Sequence, residues 1–99
     1  MVKHVILWNL KEMPQEEKAA VKQEIQEALT ALVGKVPGLL EVKVITEPLE
    51  TSNCDVMLDS TLESFEALKG YAVHPDHVKA ANEKVRPFTA SRVCMDFEI

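Results

Sequence analysis

Along this chain the spacing of apolar residues changes several times, and each change limits what the segment can become. In VKHVILWN, residues 2–9, Val, Ile, Leu and Trp crowd a short run that polar residues then close, which predicts a strand. Val2, His4, Ile6 and Trp8 share one face, and Lys3, Val5, Leu7 and Asn9 the other. Both faces carry apolar side chains, so this strand is expected to be covered on both sides. After Pro14 the period turns helical. Val21, Ile25, Ala28, Leu29 and Leu32 form one stripe of a long helix, with Glu16 and Glu17 at its positive end. Gly34 is expected to end that helix, and Pro37-Gly38 to make a turn.

Period two then returns twice. LLEVKVIT, residues 39–46, sets Leu40, Val42 and Val44 against Glu41 and Lys43, as a strand with one wet face does. A polar loop, residues 47–52, leads to NCDVMLDS, residues 53–60, a third strand with Cys54, Val56 and Leu58 on one face. Ser60 and Glu63 have the spacing of a capping box, which predicts a helix carrying Leu62, Phe65 and Leu68 and closing at Gly70. A further short helix is expected from about Pro75 to Val85, stopped by Pro87. The tail TASRVCMDFEI, residues 89–99, reads as a last strand, with Val93, Met95, Phe97 and Ile99 on one face and Arg92, Cys94, Asp96 and Glu98 on the other.

The resulting order, β–α–β–β–α–(α)–β, packs naturally as an α+β fold: a ferredoxin-like split βαβ, with helices on one face of a four-stranded antiparallel sheet. Residues 1–99 suffice for one domain. One layer of helices leaves the other sheet face bare. Val5 and Leu7 lie there, so two copies are expected to stack sheet on sheet as a two-fold homodimer. Cys54 and Cys94 would stand two strand spacings apart, about 9–10 Å. That is beyond the roughly 7 Å a disulfide can span, and two reduced thiols are expected.

Charge narrows the function classes. Sixteen acidic against eleven basic side chains give a net charge of −5 with no basic cluster, which argues against nucleic acid as a partner. His4 and Asn9 interrupt the opening apolar run and no small-residue cleavage site follows. No segment approaches the roughly 18–20 apolar residues of a membrane span. A cytoplasmic location is expected, with no membrane partner.

Chemistry concentrates in KGYAVHPDH, residues 69–77, where two of the three histidines and the only tyrosine occur together. Pro75 suits the first position of a helix and pushes His74 to extended backbone. His77 falls in the positive first turn, which disfavours imidazolium, and a neutral ring there can accept a proton. Tyr71 can donate a hydrogen bond to a carbonyl oxygen as negative charge develops on it. The plainer alternative is that His-Pro-Asp-His only starts a helix and Tyr71 only covers the core. A metal reading would need His74 and His77 with His4 or Asp55. His-x-x-His across an extended residue is not the one-face helical pair that zinc sites use, so no metal is expected.

Val2-Lys3-His4-Val5, Pro37-Gly38, Tyr71-x-x-His74-Pro75-x-His77 and Asp96-Phe97-Glu98 follow one another along the chain. In this the sequence resembles the stress-responsive dimeric α/β-barrel (Dabb) family over essentially its whole length. The resemblance implies a ferredoxin-like protomer that pairs into a barrel-like dimer. Many members have no established activity, while a plant branch acts as cofactor-free polyketide cyclases. In those enzymes the tyrosine and last histidine of the motif do the chemistry, at positions matching Tyr71 and His77, and an early histidine lines the pocket, matching His4. The chain departs from them in offering Asp55 or a near neighbour where they have a histidine, and Val21, Ile25 and Leu29 where they have helix aromatics. Two functions follow as expectations. One is a dimer binding a small, partly apolar ligand between sheet and helices, with His4, Ile6, Trp8 and His74 as contacts. The other is a cofactor-free lyase or cyclase, with His77 as base, Tyr71 as oxyanion donor and His4 as positioning group.

Overall fold

In the computed structural model, which describes residues 1–99, the order read from the sequence is realised as strands β1 (Val2–Leu10), β2 (Leu39–Ile45), β3 (Val56–Leu62) and β4 (Thr89–Glu98), with helices α1 (Gln15–Thr30), α2 (Phe65–Val73) and α3 (Pro75–Ala80) between them. A π-helical turn, Ala81–Val85, and a 3₁₀ turn, Arg86–Phe88, carry α3 into β4. The strands are antiparallel in the order β2-β3-β1-β4, the ferredoxin-like arrangement expected. No helix is long and apolar enough to cross a membrane.

The alternation of β1 decides the layering. Val2, His4, Ile6, Trp8 and Leu10 are buried beneath the helices. Val2, Ile6, Trp8 and Leu10 meet Val21, Ile25 and Leu29 of α1, Leu68 and Tyr71 of α2, and Val56, Leu58 and Leu62 of β3 in one core. Lys3, Val5, Leu7 and Asn9 point the other way and are half-buried. No helix covers that second face.

Register shows how the bare face is composed. Val93, Leu7, Met57 and Ile45 stand opposite one another and form an apolar row across all four strands. The next row holds Met95 and Val5 but also Asp59 and Lys43, and the one after holds Phe97 beside Lys3, Thr61 and Glu41. The uncovered surface is therefore an L of apolar side chains along β4 and across one end, with a charged corner where Lys3 pairs with Asp59 at 3.0 Å.

Tertiary pairing moved several local features. Ser60 does not start a helix. It is fully buried inside β3, where its Oγ donates to the carbonyl of His4 at 2.8 Å. Pairing with β1 extends β3 to Leu62, because Leu62 at the end of that ladder is fully buried in the core. The helix cap is Ser64 instead, in extended backbone, accepting from Ala67 N at 3.1 Å. Gly70 does not end α2, which continues to Val73. Phe65 is exposed, with Lys69 over its ring, and is not part of a core stripe. In β2 an irregularity between Leu39 and Glu41 buries Leu39 and turns Leu40 to solvent. Cys54 lies before β3 begins, and both cysteines are free.

Candidate functional site

The helices lie over β1, β2 and β3 and leave the helix-side edge of β4 open. Its residues on that side, Arg92, Cys94, Asp96 and Glu98, are exposed, although their partners in β1 are core residues. Between this edge and the helices lies a cleft of about 320 Å³. Its floor is Ile6 and Trp8 of β1 and Leu58 of β3, and α1 contributes Leu29. Tyr71 and His77 form the opposite wall, and the turn after α3 adds Ala81, Val85 and Arg86. Thr89 and Arg92 of β4 complete the rim.

Tyr71 and His77 are six positions apart, on two helices separated by the extended His74, with Pro75 starting the second. That break brings their rings to a centroid distance of 4.1 Å with 38° between planes. His4 meets the other side of Tyr71 edge-on, at 5.8 Å and 69°. Three of the residues singled out in the sequence are thus one contiguous stack, and Ile6 and Trp8 line the cleft. His4, expected as a ligand contact, is outside the lining, and so is His74. His74 Nδ1 accepts from Asp76 N at 3.1 Å, so its ring caps α3.

The Tyr71 hydroxyl is buried and has no hydrogen-bond partner. Burial pushes its pKa up to about 12, so it remains a proton donor throughout the physiological range. His77 is held below the ordinary histidine value, first by burial, then with repulsion from His4, Arg86 and Arg92 working against its bond to Ala72. The sign expected from the helix end is present, but desolvation is the main cause. His77 Nδ1 lies 3.3 Å from the Ala72 carbonyl, which can only accept. Nδ1 therefore carries the hydrogen, and Nε2 of the neutral ring keeps a lone pair.

Behind this stack, His4 Nδ1 lies 2.5 Å from Asp96 Oδ1. Cys94 Sγ is 3.6 Å from the same carboxylate oxygen and 3.8 Å from His4 Nδ1. Burial, then the neighbouring Asp96 charge, pushes the Cys94 thiol up and keeps it protonated. His4, Cys94 and Asp96 are the one group of three side chains whose metal-binding atoms converge. Two ligands on one tetrahedral zinc stand roughly 3.3 Å apart, and the His4–Asp96 separation is instead that of a hydrogen bond. The ligand set considered from the sequence does not assemble: His74 caps α3, and Asp55 Oδ2 accepts from Leu10 N at 2.8 Å.

Sequence reasoning passed over Arg86, Arg92 and Asp96 as site residues. The register held a signal for Asp96, which stands directly opposite His4 once β4 is laid beside β1. A larger depression of about 450 Å³ along α1 is lined by polar residues such as Gln15, Lys18 and Glu27, with one apolar residue and no unpartnered buried group. It is a surface groove without chemistry.

A ferredoxin-like α+β protomer with one bare sheet face and a cleft between helices and sheet is the class that fold and site define. Within that class the chain belongs to the stress responsive A/B barrel domain (Dabb) family, whose model matches residues 2–99. Among solved structures, a dimeric ferredoxin-like protein of unknown function from Bacteroides fragilis NCTC 9343 is 31% identical, with a TM-score of 0.91 over 99% of this chain and 95% of its own. A dimeric ferredoxin-like protein of unknown function from Thermobifida fusca is 22% identical, with a TM-score of 0.82 over 99% and 90%. Hydroxynitrile lyase from Passiflora edulis is 17% identical, with a TM-score of 0.80 over 99% and 92%. Those two likenesses concern the fold alone. No curated protein matches the chain.

Proposed function

We propose that the protein is a cytoplasmic homodimer, stacked through its bare sheet face, that binds a small, partly apolar carbonyl compound in the cleft of each protomer without a cofactor. The observation that carries the binding role is at Tyr71, which lines a cleft floored by apolar side chains and whose buried hydroxyl has no partner. A buried hydroxyl left unpaired costs about 1–3 kcal/mol, and a ligand oxygen accepting from it recovers that cost on binding. The dimeric relatives and the exposed row on β4 support the pairing. The two free cysteines suit a reducing compartment. The net charge of −5 argues against a nucleic-acid partner.

Crystals soaked with small cyclic ketones test the binding role. Density in the cleft with the ligand oxygen within hydrogen-bond distance of Tyr71 is expected, together with weaker binding to Tyr71→Phe in solution. A cleft that stays empty at saturating ketone would end this reading.

A second reading follows from His77. His77, with a lone pair on Nε2, and Tyr71, with a hydroxyl to donate, line one cleft with their rings side by side. Nε2 takes the proton from carbon next to a carbonyl, the C–H electron pair forms the enolate, and the oxygen accepts from Tyr71. His4, fixed by Asp96 and packed edge-on against Tyr71, acts as a positioning group. Deuterium uptake next to the ketone, followed by NMR, should be lost in His77→Gln. Uptake at an undiminished rate in that variant would remove His77 as base.

A further inference from the structure

Resting on the binding role just given, we propose that the cleft selects an anion: a small carboxylic acid with an apolar body, its carboxylate held by Arg86 and Arg92. The chain has two arginines, and both line this one cleft. The chain has sixteen acidic residues, and none lines it. Neither guanidinium is in an ion pair; Lys11, Lys18, Lys22, Lys35 and Lys79 are also unpaired, but no lysine lines the cleft. Arg86 Nη1 is held by Asn82 Oδ1, a neutral acceptor that fixes the side chain without cancelling its charge. Both arginines are near enough to His77, another lining residue, to disfavour its protonated form.

This arrangement runs against the rest of the molecule. A surface with net negative charge repels anions at a distance, so a cleft that takes an anion needs cationic groups of its own, and both arginines line this one with no carboxylate among its residues. Planar guanidinium groups match carboxylate oxygens in pairs of parallel hydrogen bonds, which lysine does not. The floor of the cleft, Ile6, Trp8 and Leu58 with Leu29 beside it, offers no charged side chain to a second ionised group. The ligand is therefore charged at one end and apolar at the other. With the carboxylate at the rim, a carbonyl oxygen further along the ligand meets Tyr71.

Trp8 is the only tryptophan and lines the cleft, so its fluorescence reports occupancy. Phenylacetate, its uncharged isostere phenylacetamide and inorganic phosphate are titrated at fixed ionic strength. Phenylacetate should bind at least roughly tenfold more tightly than the amide, the scale of one charge-assisted hydrogen bond. That preference should fall to near unity in the double variant Arg86→Gln/Arg92→Gln. Phosphate should not compete at equal concentration. Both arginines are exposed, so the variant should keep its far-UV spectrum and melting temperature. Equal affinity for acid and amide in the parent protein would overturn the inference and leave the binding role standing, as would a preference that survives the double variant. Phosphate binding as tightly as phenylacetate would overturn the apolar half. If neither aromatic probe binds, the binding role fails along with the inference.

Discussion

At the scale of single residues, the site keeps a cost that folding alone does not explain. Tyr71 is 1% exposed, and its hydroxyl has no partner. Tyr71→Phe removes the orphaned group and keeps the ring, so it should stabilise the fold by about 1 kcal/mol, read as a higher denaturant midpoint at unchanged slope. A lower midpoint would reveal a partner for the hydroxyl. His77 gives a pH signature. Its folded pKa lies below the ordinary value of 6.5, so the unfolded chain binds the proton more readily. The contribution of His77 is fully present above that value and is lost as pH falls from there through the folded pKa. In His77→Gln, stability should fall less steeply over that interval, as followed by denaturation at a series of pH values. An unchanged slope would place the effect elsewhere. Tyr71 and His77 were legible in the sequence because tyrosine and histidine are rare here and fall together. Arg86 and Arg92 were not, because no local pattern reports which exposed side chains face one cleft.

Among the elements, the junction between β3 and α2 shows how pairing overrides a local signal. Ser60-x-x-Glu63 and Ser64-x-x-Ala67 both offer a serine for a helix start. The hydrogen bond from Ser60 to His4 and the burial of Leu62 settle the choice in favour of Ser64. Ser64→Ala should cost about 1 kcal/mol of stability in thermal denaturation, whereas Glu63→Ala should be nearly neutral. The reverse result would restore the earlier start. The turn before β2 is stricter. Gly38 has φ +82, and a Cβ there would come within 2.5 Å of the Ala67 Cβ. Gly38→Ala should therefore cost more than the roughly 1–2 kcal/mol of left-handed backbone alone, because α2 must also move. A shift smaller than that of Ser64→Ala would show that the two elements give way easily. Pro37-Gly38 was legible as a turn, but the closeness of α2 was not, since it depends on a helix nearly thirty positions away.

At the scale of the molecule, β4 faces two different tasks. Its helix-side residues form the rim of the cleft, and Val93, Met95 and Phe97 on its other side belong to the uncovered apolar L. Met95 is 67% exposed and Val93 65%, far from how such side chains rest in a finished core. Stacking two copies would contribute at about 25 cal/mol per Å² of apolar area removed from water. Met95→Asp should leave the protomer fold intact, by far-UV circular dichroism, and release monomers in sedimentation at micromolar concentration. If the parent protein sediments as a monomer, or the variant remains a dimer, this face is not the interface.

The sequence alone determined the order of the elements, the faces of β1, the antiparallel sheet with helices on one side, and the pairing of Tyr71 with His77 in one motif. These depend on periodicity and on turn residues, which act over a few neighbours. Tertiary structure alone decided where β3 ends, which serine caps α2, the charged corner on the bare face and the convergence of both arginines on one cleft. Each of those is set by residues distant in the chain, where burial and strand pairing outweigh local preference.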